Sequence, residues 1–181
     1  MEDTGEEYFK PLTMERLVEG LKVISQKEAE VYHQGTIVTY SMRLNPPANP
    51  IAISLMEEDI NIKFPKDYSQ FLSLVNGMDF GNQNTRVCSL ERIHEFYVNF
   101  DIYYENMIVI ATALGASVHI IMEVKDDGNY RLYVTDVLGE AEMWYLGDDL
   151  LKFLDALVSS YGYPFWEWNK KSSEYLIKQF Y

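Results

Sequence analysis

Apolar positions between Pro65 and Val75 recur at a helical spacing. Tyr68, Phe71, Leu72 and Val75 fall at i, i+3, i+4 and i+7, so four apolar side chains share one face. Pro65 suits the first helical position, where its fixed φ helps and its missing N–H removes no bond. Asn76-Gly77 predicts the stop, with Gly77 in the left-handed position beyond the helix. A second helical pattern follows Thr13, a good cap. Its face is Met14, Leu17, Val18, Leu21 and Ile24, and it is predicted to run to about Glu30. A third joins Leu150, Phe153, Leu154, Leu157, Val158 and Tyr161 after Gly147-Asp148-Asp149, where acid complements the positive end of a helix dipole. Gly162 and Pro164 predict its end. Ser54-Leu55-Met56-Glu57 matches a capping box for a short helix through about Ile60. Ser172 or Ser173 predicts the start of a last short helix, with Leu176 and Phe180 inward.

Other segments alternate. Val118, Ile120, Met122 and Val124 face one way, and His119, Ile121, Glu123 and Lys125 the other. After the turn residues Asp126-Asp127-Gly128-Asn129, Tyr130, Leu132 and Val134 alternate with Arg131, Tyr133 and Thr135, which predicts a β-hairpin. Met107–Thr112 predicts a buried strand; Thr36–Met42, Val87–Leu90 and Ala141–Leu146 predict further ones. Ile93–Tyr104 is aromatic, and its pattern selects neither helix nor strand. The order is helices, an antiparallel meander, then helices. That predicts an α+β fold, an antiparallel β-meander sheet flanked by helices. Asn45-Pro46-Pro47-Ala48-Asn49-Pro50 breaks regular structure. The break is expected to separate an N-terminal extension of helix and strand, residues 1–50, from a main body, 51–181, that ends in a C-terminal helical extension. A single domain with a long proline loop fits the same break. Residues 1–12 read as a flexible acidic arm.

Composition narrows the classes. With 48% hydrophobic and 24% charged residues in 181, the chain is a globular one long enough for one sizeable core. The net charge of −13 repels nucleic acid and anionic membrane, and attracts a basic partner. It also serves plain solubility. Cys88 is the single cysteine, which excludes an internal disulfide and a cysteine-based zinc site. The acidic start has no apolar core, so no secretory signal is expected, and no run is long enough to span a membrane. These features point to a cytoplasmic protein.

The stretch Ile62-Lys63-Phe64-Pro65-Lys66-Asp67-Tyr68-Ser69-Gln70-Phe71-Leu72-Ser73-Leu74-Val75-Asn76-Gly77 resembles the signature of the SUKH superfamily, which includes the Smi/Knr-like regulators of fungal cell-wall synthesis and many bacterial immunity proteins. That signature is a short acidic helix, Leu-Pro-x-Asp-Tyr, a helix with Phe-Leu, then Asn-Gly. Here Leu55–Ile60 matches the acidic helix and Phe64 replaces the leucine. Pro65, Asp67, Tyr68, Phe71, Leu72, Asn76 and Gly77 all match. The pattern of strands and final helix extends the resemblance over about residues 51 to 160. Where the family often has a glycine-rich turn between central strands, this chain has Gly115 between Leu114 and Ala116. The resemblance implies a SUKH-like fold and a cytoplasmic binding protein without catalytic residues. In bacteria such proteins neutralise a toxin domain encoded beside them, often a nuclease or deaminase.

Candidate chemistry is sparse. His33, His94 and His119 form no metal-binding pair, and Glu91, His94 and Glu95 lack zinc spacing. Neither a phosphate loop, a dinucleotide fingerprint nor a Gly-x-Ser-x-Gly elbow is present. Asp126-Asp127-Gly128-Asn129 lacks calcium-loop spacing and reads as a turn. Cys88 reads as a buried, inert thiol. Tyr161, Tyr163, Phe165, Trp166 and Trp168 read as packing that closes the domain, with a binding role as the alternative. Glu140, Glu142, Asp148 and Asp149 form a local run of acid. One reading is a helix cap plus a solvated strand edge; the other is a contact patch for lysine and arginine of a partner. The expected function is an immunity (antitoxin-like) protein that binds a basic toxin domain through this acidic surface, with no cofactor, metal, nucleic acid or membrane. A regulatory scaffold binding cellular proteins is the alternative, and an unrecognised hydrolase the third.

Overall fold

A computed structural model describes residues 11–33, 35–81, 84–99, 106–136 and 143–167. In chain order the elements are α1 (Met14–Ile24), β1 (Ala29–His33), β2 (Thr36–Tyr40), β3 (Met42–Leu44), α2 (Pro50–Asp59), α3 (Lys66–Leu74), β4 (Met78–Phe80) and β5 (Thr85–Val87). Then follow α4 (Leu90–Asn99), β6 (Met107–Ala113), β7 (Val118–Val124), β8 (Tyr130–Thr135), β9 (Trp144–Gly147) and α5 (Leu150–Ser159). Strands β3 to β9 form one seven-stranded sheet in sequence order, antiparallel at every pairing; β1 and β2 pair separately. This is an α+β fold, an antiparallel meander flanked by helices.

The core follows from the predicted faces. Leu17, Val18 and Leu21 of α1, Tyr68, Phe71 and Leu72 of α3, and Phe153, Leu154 and Leu157 of α5 join Ile108, Ile110, Ile120, Met122, Leu132 and Val134 of the sheet in one cluster. β6 is buried at every position and β7 at all but Glu123, because both faces of the central strands are covered. On the second face α4 lies over β6, and Phe96 meets His119 edge-on at 5.6 Å between ring centroids. The C-terminal aromatics bear out the packing reading in part: Tyr161 is exposed, and Tyr163, Phe165 and Trp166 are half-buried. Phe165 lies 5.8 Å from Phe153 and Trp166 is partly buried against the core, while Trp168 lies outside the described residues. The acidic arm up to residue 10 and the expected helix after Ser172 or Ser173 lie outside them too.

Several boundaries differ from expectation, each for a physical reason. α1 stops at Ile24, which is 40% exposed, because the next positions on its face are Lys27 and Glu28. The residues after Glu28 form β1 instead, in full register with β2. The segment Thr36–Met42 divides at Ser41: β2 stays in the hairpin and β3 becomes the edge of the main sheet. α2 starts at Pro50, not Ser54, because Asn49 caps it by accepting from the Ile51 N–H at 2.9 Å. Glu57, free of the expected capping box, accepts from the Phe64 N–H and from Lys63 Nζ, both at 2.9 Å. β5 ends where the expected strand Val87–Leu90 begins, and Leu90 already opens α4. Pro65 sits at the cap of α3, one residue before the first helical position.

Motif residues now have partners. Asn76 Oδ1 accepts from the Leu90 N–H at 2.9 Å and so tethers the start of α4 to the end of α3. Gly77 has φ +83 and lies against the backbone of Val87, Cys88 and Ser89. Tyr68 is fully buried, and no protein group described lies within hydrogen-bonding range of its hydroxyl. Its ring fills the core; its oxygen carries a desolvation cost. Tyr68→Phe is therefore expected to leave stability unchanged or raise it by up to about 1 kcal/mol, read as the urea midpoint. A loss of that size would show that the hydroxyl has a native partner.

His119 contributes a pH dependence. Burial, and secondarily the Arg92 charge, hold its pKa below the ordinary 6.5. Thr112 and Thr135 flank it across the sheet, and Arg92 and Phe96 face it from α4. The unfolded state then binds the proton more readily than the native state. Native stability is full above about pH 6.5 and falls as pH drops below that value towards the lowered native pKa. His119→Phe should flatten this part of the stability–pH curve, measured by denaturation from pH 7.5 to 5.

Candidate partner-binding surface

The outward side chains of β7, β8 and β9 align across the strands. Register places Glu123 opposite Arg131, and Tyr133 opposite Tyr145. The Tyr133 hydroxyl donates to Glu123 Oε2 at 3.1 Å, and the Tyr133 and Tyr145 rings meet edge-on at 5.9 Å. Tyr145 remains 58% exposed. Beside them opens a cleft of about 600 Å³, lined by Lys125, Asn129, Tyr130, Arg131, Tyr145 and Asp148. Aromatic rings beside a guanidinium are the side chains that most often dominate the energetics of protein interfaces.

The cleft wall is fixed from below. The Tyr130 hydroxyl donates to Asp67 Oδ2 and accepts from the Leu150 N–H, the latter at 2.8 Å. It thus joins the starts of α3 and α5 to β8. Burial first, then the bond to Asp67, push the phenol well above its ordinary pKa, so it stays protonated and able to donate. On its second oxygen, Asp67 accepts from the Tyr68 N–H at 2.8 Å. The signature pair Asp67-Tyr68 is therefore a structural joint: the first residue holds the cleft wall and the second fills the core.

The structure separates the predicted contact residues. Asp148 is exposed and lines the cleft. Asp149 caps α5, accepting from the Lys152 N–H at 3.0 Å, and its second oxygen lies 3.0 Å from Lys152 Nζ. Those bonds to Lys152 hold its carboxyl below the ordinary range. Glu140 and Glu142 lie outside the described residues, in the segment that joins β8 to β9. The cleft itself carries both signs of charge, since Lys125 and Arg131 stand with Asp148. Sequence reasoning did not select Lys125, Arg131 or Tyr145. The available signal was the alternation that sets Arg131 and Tyr133 outward on β8.

The remaining candidates resolve into separate contacts. Glu91 accepts from Asn76 Nδ2 at 3.4 Å, His94 Nε2 lies 3.0 Å from Asp59 Oδ2, and Glu95 pairs with Arg92. Among the described residues no three His, Cys, Asp or Glu side chains are grouped to hold a metal ion. Asp127 closes the β7–β8 turn by accepting from the Asn129 N–H at 2.9 Å. Cys88 is buried, and desolvation pushes its thiol up to about 12, which keeps it in the unreactive form. Among the described residues no helix is long and apolar enough to cross a membrane.

Comparison with known proteins agrees with the signature. A protein of Bacillus subtilis (strain 168), described as uncharacterized protein YnaB, is 29% identical over 138 residues, covering 71% of this chain and 89% of that protein. The family model of the SMI1/KNR4 family (SUKH-1) matches residues 47–156, a span that contains α2 to β9, the Asp67–Tyr130 joint and the cleft. The chain belongs to the SMI1/KNR4 family (SUKH-1).

Proposed function

We propose that this chain is a cytoplasmic immunity protein that binds a cognate toxin domain and blocks its active site or substrate groove, without chemistry of its own. Family membership is the observation that carries this reading. The exposed Tyr145 and Arg131 beside Asp148 supply a surface of the composition that binding proteins use. The net charge of −13 suits a basic partner, and a nuclease must be basic where it grips phosphates. Glu140, Glu142, Asp148 and Asp149 are the proposed carboxylates of the contact, and Asp149 also caps α5.

The test is co-expression with the product of the adjacent gene, scored by pull-down and by rescue from toxicity. Rescue supports the reading. No complex and no rescue would remove it. Binding to several endogenous proteins with no adjacent toxin gene would instead favour a regulatory scaffold. Charge reversal at Glu140, Glu142 and Asp148 is expected to weaken the complex about tenfold at low salt, since exposed pairs contribute up to about 1 kcal/mol each. The salt dependence should flatten at the same time. Titration calorimetry at two salt concentrations checks both effects.

A further inference from the structure

α2 buries little of its apolar surface. Ile51 is 69% and Leu55 59% exposed, one turn apart on the same side, and Ile53 is its one buried side chain. Beside this helix a cleft of about 480 Å³ opens between the Pro46-Pro47 loop and the starts of α2 and α4, with Ala52, Leu90 and Glu91 in its walls. Helical spacing carries the Ala52 side of α2 on through Leu55 to Asp59, where His94 ties α2 to α4. Val98 and Tyr97 expose further apolar surface at the far end of α4. Carboxylates flank this surface: Glu58 and Asp59 on α2, Glu91 and Glu95 on α4. Of the four, Asp59 already meets His94, Glu95 meets Arg92 and Glu91 accepts from Asn76, while Glu57 is engaged elsewhere, with Phe64 and Lys63.

We propose that this α2–α4 groove is a second docking site, filled by an amphipathic segment of the partner protein that sets apolar side chains between lysines or arginines. The inference rests on the protein-binding reading above and adds a distinct surface and the chemistry of what fills it. An exposed leucine and isoleucine with carboxylates on both flanks complement such a segment on both counts. The chain's own arm, with Glu2, Asp3, Glu6 and Glu7, has the wrong sign to fill it. Residues 168–181, with Lys170, Lys171 and Lys178, have the right sign and are the competing occupant.

The probe is a short Leu/Lys amphipathic helical peptide, titrated onto the full chain and followed by amide NMR. Shifts concentrated on α2 and α4, with Leu55→Asp weakening binding at least about tenfold and Tyr32→Ser leaving it unchanged, support the groove. Leu55 and Tyr32 are both exposed, so neither variant is expected to disturb folding, as circular dichroism would verify. Shifts scattered over all acidic surfaces, or an unaffected Leu55→Asp, would overturn it. Removal of residues 168–181 that moves the α2 and α4 signals before any peptide is added would overturn it too, by making the tail the occupant. The rescue assay separates the two proposals. Leu55→Asp that neutralises the toxin as well as the parent chain defeats the groove and leaves the immunity reading intact. A parent chain that fails to neutralise defeats the immunity reading, and the peptide titration still decides the groove.

Discussion

Gly77→Ala is expected to lower stability by about 2–5 kcal/mol, from the left-handed backbone penalty of about 1–2 kcal/mol plus about 1–3 kcal/mol of overpacking. Both contributions are visible at this position. Its φ is +83, and an added Cβ would stand 2.6 Å from the Val87 carbonyl oxygen, 2.8 Å from the Cys88 carbonyl carbon and 2.8 Å from the Ser89 nitrogen. Those neighbours are backbone atoms, and they cannot swing aside as the end of a side chain can. They are also fixed: the Cys88 N–H donates to the Ile110 carbonyl at 2.8 Å, and Asn76 holds the start of α4 through Leu90. Relief would have to move β5 away from β6 or α4 away from α3. Gly115→Ala is the control. Gly115 has φ +70 with nothing within 4 Å of an added Cβ, so only the backbone penalty of about 1–2 kcal/mol applies there. Urea denaturation of both variants, with unchanged m-values, should show the larger loss at Gly77. Equal losses would mean that the close approach of the β5 exit has no energetic weight.

The fold was readable where a residue's partners are local or its face is simple. The cap at Thr13, the stripe of α3, the β7–β8 hairpin and the face of α5 rest on spacing alone, and they stand within a few residues of expectation. α4 was missed because its apolar positions, Leu90, Ile93 and Phe96, include one that the sequence assigns equally well to a preceding strand. β4 is three residues long and carries no periodicity of its own; its partners lie in β3 and β5. The turn between β6 and β7 is another long-range decision. Leu114 and Ala116 take positive φ, 51 and 69, on either side of Gly115. The turn geometry is thus kept without a run of glycines, and the pairing of β6 with β7 overrides local preference.

The candidate surface was less readable for a related reason. The acid run near the end of the sheet is visible in the chain, but its division of labour is not. Asp149 faces the first turn of α5 and is used there, while Asp148, one residue earlier, lines the cleft. The rest of the cleft comes from residues far apart in sequence. Lys125 ends the β7 side of the hairpin, Arg131 lies on β8, and Tyr145 reaches Tyr133 only through the register of β9 on β8. Alternation says which side of a strand a residue takes; strand order decides what stands beside it.

Asp67→Ala is expected to cost about 1.5–3 kcal/mol, the range for a hydrogen bond to a charged group, here with a half-buried donor left without its acceptor. Asp67 receives the Tyr130 hydroxyl on one oxygen and the Tyr68 N–H on the other. Without the carboxylate the phenol proton has no acceptor, although the same oxygen still receives the Leu150 N–H. Tyr130→Phe removes both bonds at once and strands Asp67 and the Leu150 N–H, so it should cost about as much. Because the two residues share one bond, the Asp67→Ala, Tyr130→Phe double variant should lose less than the sum of the single losses, by about 1–2 kcal/mol. Chemical denaturation of the four proteins gives that coupling directly, and additive losses would show that the carboxylate and the phenol act independently. Function should register the same bond. Tyr130 forms part of the cleft, and its hydroxyl is the joint between β8 and α5, which carries Asp149 and follows directly on Asp148. Tyr130→Phe should therefore weaken partner binding through the cleft more than it disturbs the α2–α4 groove.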